Sequence, residues 1–181
     1  MSDSSVHLEE HLTASQAQPG KKHSILPANI GIPPDHLQEV SNRLNTLLAD
    51  EFVLYTKVRR SHWNVTGIHF HDLHLLFEEL YEELEEIIDQ VAERVRALGH
   101  HAIGTLKDFL GMTHLLEEGD TSDSVALIRD LLNDYETVVR VIREYADEVD
   151  NKFKDSGTED FLIGIMEIHE KRAWMLRSLL A

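Results

Sequence analysis

At 181 residues and 42% apolar content, the chain has enough material for one helical domain and its core, with little left for a second. A formal charge of −16 sets up a negative field that attracts small cations and repels polyanions. The absence of cysteine excludes thiol catalysis, thiolate zinc sites and disulfides, so any metal must be held by imidazole and carboxylate, donors suited to iron, manganese or zinc.

The amino terminus, MSDSSVHLEEHLTA, has neither a basic start nor an apolar core, and no later apolar run reaches membrane-spanning length. A cytoplasmic protein without a membrane partner is the expectation. Residues 1–34 are polar, aperiodic and broken by Pro19, Gly20, Pro27 and Gly31, which predicts a flexible arm. Pro33-Pro34 then suits a helix start, and Leu37, Val40, Leu44, Leu47, Leu48, Tyr55 and Val58 recur at helical spacing to about His62. Gly67 interrupts this pattern. A second helix follows through Leu73, Phe77, Leu80, Leu84, Ile87, Val91 and Val95, with Gly99 as its stop.

From Gly99 to Asp120 a long crossover carries Leu106, Phe109 and Leu110, enough for one short helix. Ser122, with Asp123 behind it, provides the N-cap signal for a third long helix, with Val125, Ile128, Leu131, Leu132, Tyr135, Val138, Ile142 and Val149 on one side. Thr158, followed by Glu159 and Asp160, is predicted to open a fourth that ends in Trp174, Met175, Leu176, Leu179 and Leu180. Two helical hairpins joined by one long connection make an all-α, ferritin-like four-helix bundle over residues 35–181, with a short helix in the crossover between the second and third long helices.

Bundles of this type often hold metal through a Glu-x-x-His pair on each of two helices. None of the twelve histidines has an acid three residues before it, so the usual within-subunit di-iron arrangement is not available. The second helix offers another route. With His74 as origin and about 100° per residue, Glu78, Asp89 and Glu93 fall near ~40°, ~60° and ~100°, all on one face. Glu78 and Asp89 are nevertheless roughly 16 Å apart along the axis, too far for one metal.

An antiparallel second copy about a two-fold axis between Glu83 and Leu84 would resolve this. It couples His74 with Glu93 and Glu78 with Asp89, each pair of residue numbers summing to 167. His62 would complete the nitrogen side. Glu82 and Glu85 share the face and the same sum, so periodicity alone leaves the choice of acids open.

The segment RRSHWNVTGIHFHDLHLLFEELYEELEEIIDQVAERVRALG resembles the signature of the Dps family of mini-ferritins: His-Trp-Asn, then Gly, Phe, a second His and paired acids before Ala-Glu-Arg. The likeness covers about residues 36–180 and includes the carboxy-terminal HEKRAWMLRSLL. It implies metal ligands His62, His74 and Glu78 from one subunit, with Asp89 and Glu93 from its neighbour. Where the family more often has Asp, this chain has Glu78. The resemblance further implies a hollow dodecamer that oxidises Fe(II), preferably with hydrogen peroxide, and stores ferric mineral, which protects against oxidative stress. Zinc is a second metal for the same site, and Trp63 a candidate electron donor.

Asp150, Asp155 and Asp160 sit where similar proteins line three-fold ion-entry pores, Asp155 matching best; the competing reading makes them solvated turn residues, with Asp160 favouring a helix N-terminus. His69 and His71 read as surface residues, His100 and His101 as partners of a helix C-terminus, and His169 as hydrogen-bonded at a packing interface. His7 and His11 have the wrong spacing of acids for a zinc-protease motif. The rival function is DNA compaction through a basic arm. Through Pro34, however, Lys21 and Lys22 face Asp3, Glu9 and Glu10, and no basic tail precedes Ala181, so weak or absent DNA binding is expected.

Overall fold

The computed structural model describes residues 26–117 and 121–181. Most of the predicted arm, including His7, His11, Lys21 and Lys22, lies outside them, as do Gly119 and Asp120 of the crossover. Among the described residues five α-helices follow one another: α1 (Pro34–Asn64), α2 (Phe70–Ala97), α3 (Leu106–Met112), α4 (Ser124–Glu148) and α5 (Ser156–Ser178). No strand occurs among the described residues.

The apolar stripes explain the packing. Leu44, Leu47, Leu54 and Val58 of α1, Phe77, Leu80, Leu84 and Val91 of α2, Leu131, Tyr135, Val138 and Ile142 of α4, and Leu162, Ile165 and Leu176 of α5 are all at most 3% exposed. Each large apolar side chain contributes up to about 1.5–3 kcal/mol by leaving water. The helices pair as α1 with α2 and α4 with α5, and the hairpins meet mainly through α1 and α4. This is the predicted ferritin-like bundle with its short helix in the crossover.

Two polar residues of α1 pin that crossover. Asn45 donates Nδ2–H to His101 O at 3.0 Å and accepts from Ile103 N at 3.0 Å. The fully buried Asp50 accepts from Thr113 Oγ1, His114 N and His114 Nδ1 at 2.8, 2.6 and 2.9 Å. Between the clamps, Phe109 of α3 stacks on Phe52, with ring centroids 4.3 Å apart.

Residues 26–33 approach the end of α2. Leu26 N donates to Gly99 O at 3.1 Å, and Ala28 and Ile32 pack against the core. Gly99 has φ +88°, and a Cβ there would lie 2.3 Å from Leu26 O, so glycine is required both by conformation and by close approach.

Two helix starts differ from the sequence reading. Asp123, rather than Ser122, caps α4 by accepting from Ala126 N at 2.8 Å. The last helix begins at Ser156, not Thr158, because Asp155 is its N-cap and accepts from Thr158 N at 3.0 Å. Thr158 is therefore a buried first-turn residue. Between α4 and α5 lies a π-helical turn, Val149–Phe153, ended by Lys154 at φ 57°, so Val149 belongs to this turn rather than to α4.

Candidate metal centre

The last turns of α1 and the first turns of α2 bring His62 and His74 face to face. Their rings stack with centroids 3.7 Å apart and 21° between planes. Each Nδ1 lies 2.8 Å from the other residue's backbone carbonyl oxygen. A carbonyl only accepts, so both Nδ1 atoms carry hydrogen, and each ring is left with Nε2 as the nitrogen that could bind a metal. Fixing the tautomer through the far nitrogen is how proteins orient metal-binding imidazoles. His62 is 8% exposed and His74 half-buried.

Glu78, one turn beyond His74, is half-buried and accepts from Tyr81 OH at 3.2 Å through Oε1. Desolvation, together with the Glu78 carboxylate, raises the Tyr81 hydroxyl above its ordinary value and keeps it a donor. The Tyr81 ring also meets His62 edge-on at 5.2 Å. Arg59 Cζ stands 4.2 Å from the centroid of the same ring and 5.4 Å from that of Trp63. Trp63 is 65% exposed beside the histidines.

Asp89 and Glu93 lie farther along α2, exposed on the side turned away from the chain's own core, as are Glu82 and Glu85. Asp89 edges a groove of about 620 Å³ floored by Phe52, Tyr55, Ile88 and Ala92 and bordered also by Glu85 and Glu86. One chain thus stacks His62 on His74, with Glu78 one turn beyond His74 on α2, and holds Asp89 and Glu93 farther along that helix. Among the described residues no three His, Asp or Glu side chains form a group able to hold a metal.

The three pore candidates occupy different surroundings. Asp160 is exposed and Asp150, in the π-helical turn, is half-buried. Asp155 is 3% exposed, and its carboxylate accepts from Arg94 Nη2 at 3.3 Å and Thr158 Oγ1 at 2.5 Å. Arg94 Nε also donates to Thr158 Oγ1 at 3.0 Å, joining α2 to the start of α5. His69 and His71 are exposed, as their sequence reading had it.

The bundle interior contains a polar cluster in which His169 is hydrogen-bonded at a packing interface, as its sequence reading had it, while its partner Glu51 was not anticipated. His169 donates Nε2–H to Glu51 Oε1 at 2.8 Å, with both side chains at most 1% exposed. The ring of buried Tyr135 meets His169 edge-on at 5.3 Å. Burial, with Glu51 next, pushes the Tyr135 hydroxyl well above its usual value. Glu51 falls in the apolar series Leu44, Leu47, Leu54 and Val58, and an acid at such a position was the available signal. A second buried pair joins Lys57 Nζ to Asp134 at 2.5 Å. Burial outweighs Lys57 there and raises the Asp134 carboxyl to about 6.

A bundle of two helical hairpins joined by a long crossover is the ferritin-like architecture, and residues 41–181 match the ferritin-like domain family. The chain is 36% identical to DNA protection during starvation protein 2 of Bacillus anthracis, over 79% of this chain and 97% of that one. It is 44% identical to an uncharacterized low temperature-induced protein of Nostoc sp., over 83% and 84% of the respective lengths. The crystal structure of a Dps protein from Bacillus brevis is similar at a TM-score of 0.78 and 35% identity, covering 81% of this chain and 98% of that one. Another, from Vibrio cholerae and described as a member of the ferritin-like diiron-carboxylate superfamily, gives a TM-score of 0.81 at 29% identity over 88% and 99%. The chain belongs to the Dps family and is a Dps-type mini-ferritin. No helix of the described residues is long and apolar enough to cross a membrane.

Proposed function

We propose that this protein is a ferroxidase that oxidises Fe(II), preferably with hydrogen peroxide, at sites shared between two subunits, and stores the ferric product in a hollow dodecamer. The observation that carries the proposal is the reciprocal His62–His74 arrangement, which leaves both Nε2 atoms available as ligand nitrogens, with Glu78 one turn beyond His74, while Asp89 and Glu93 remain exposed on the outward face of α2. In an antiparallel dimer, His62, His74 and Glu78 of one subunit meet Asp89 and Glu93 of the other. Two Fe(II) ions each give one electron to peroxide, the O–O bond breaks, and two hydroxide equivalents leave. Carboxylates favour the more highly charged ferric product.

Trp63, exposed next to His62, serves in this reading as a donor to stray oxidants. Asp150, Asp155 and Asp160 belong to the proposed iron-entry pore, with Asp155 also engaged by Arg94. The net charge of −16 supports iron attraction over DNA compaction, so a gel shift at physiological salt is expected to show weak or no binding.

The decisive experiment is anaerobic Fe(II) loading followed by peroxide, monitored by ultraviolet absorbance, on the wild type and His62→Ala/Asp89→Ala. The variant should lose rapid oxidation; equal rates would remove the site. A sizing column should show a shell far larger than the 20.7 kDa chain.

A further inference from the structure

The outward face of α2 carries Glu78, Glu82, Glu85, Glu86, Asp89 and Glu93. Two such faces laid antiparallel set carboxylates against carboxylates, a repulsive arrangement unless positive charge lies between them. Arg59 is a cation positioned to supply it. Neighbouring Lys57 and Arg60 reach Asp130 of their own chain, whereas Arg59 lies over the rings of Tyr81, Trp63 and Tyr55, with its Cζ at 4.2, 5.4 and 5.8 Å from the centroids.

The groove beside Asp89 is complementary to this group, with an apolar floor of Phe52, Tyr55 and Ile88 and an acidic edge of Glu85, Glu86 and Asp89. About the axis between Glu83 and Leu84, position 86 lies opposite position 81, the level at which Arg59 sits on Tyr81. We propose that Arg59 and Trp63 of one copy enter this groove of a second copy, so that the guanidinium neutralises its acidic edge and the indole covers its apolar floor. Two equivalent contacts form per dimer. A desolvated Arg beside a Trp is a side-chain pair that anchors protein interfaces. The contact gives the dimer a positive charge of its own, so its halves associate before any metal binds.

This inference rests on the shared-site reading above, and sedimentation velocity of the full chain in EDTA, at low and high salt, separates the two. The wild type should associate without metal, and more weakly as salt rises. Arg59→Gln should weaken association about tenfold or more, Arg59→Lys less, and Arg59→Glu most. Arg59→Glu/Glu86→Arg should recover association relative to Arg59→Glu alone. Far-ultraviolet dichroism checks folding, and if Arg59→Glu loses helix, the Gln and Lys variants decide. Gln and Glu variants that associate like the wild type, or no difference between Gln and Lys, would overturn the Arg59 contact while leaving the metal site standing. A wild type that is monomeric under all conditions, including with Fe(II), would sink both.

Discussion

Asp155 allows a local structural role to be separated from a role in iron entry. Asp155→Ala removes the N-cap of α5, worth about 1 kcal/mol, and strips Thr158 Oγ1 and Arg94 of a carboxylate that is 3% exposed. Arg94 keeps 27% of its side-chain surface exposed, so water recovers part of the lost ion pair. The total comes to about 2–3 kcal/mol. Asp155→Asn retains an oxygen for Thr158 N but loses the charge, and should cost about 1 kcal/mol. Urea denaturation at fixed protein concentration measures both, since assembly would otherwise shift the midpoint. An Ala variant within about 0.5 kcal/mol of wild type would refute the reasoning, because surface substitutions away from such features commonly fall there. A salt-dependent loss of iron uptake in Asp155→Asn at unchanged stability would instead assign the carboxylate to the pore.

Gly99→Ala should lower stability by about 2 kcal/mol or more, through its left-handed backbone and the clash with Leu26 O, and an unchanged melting temperature would contradict that close approach. Glu51→Ala should cost about 1–3 kcal/mol by leaving the His169 donor buried without its partner, whereas Glu51→Leu/His169→Leu should be milder. A double-mutant cycle showing no coupling would disprove the pairing. For Asp134, raised from 3.8 to about 6, the folded state holds the proton more tightly than the unfolded chain. Its stabilising contribution is therefore present at low pH and lost as pH rises from about 4 through about 6. The stability advantage of wild type over Asp134→Asn should shrink across that window by on the order of 3 kcal/mol. An advantage that grows with pH would reverse the sign.

The elements most legible in sequence were those fixed by local chemistry. Pro33-Pro34, Gly67 and Gly99 mark helix boundaries because their backbone constraints act without distant partners. The short helix was visible in the spacing of Leu106, Phe109 and Leu110. The start of α5 was misplaced by two residues because Thr158 carries a capping side chain, yet Asp155 takes that position and Thr158 instead serves Arg94 from α2. Asp50 gave no comparable signal: its three donors lie more than sixty residues away, and their convergence depends on the path of the crossover.

Sequence alone determined the amphipathic helices, the absence of thiolate chemistry and the grouping of His74, Glu78, Asp89 and Glu93 on one helical face, because periodicity and side-chain chemistry are properties of the local chain. Tertiary structure decided which histidine nitrogens are committed to carbonyls, that Tyr81 holds Glu78, and that Glu51 is buried against His169. These outcomes depend on which helices become neighbours, and so on the way the hairpins bury their apolar stripes.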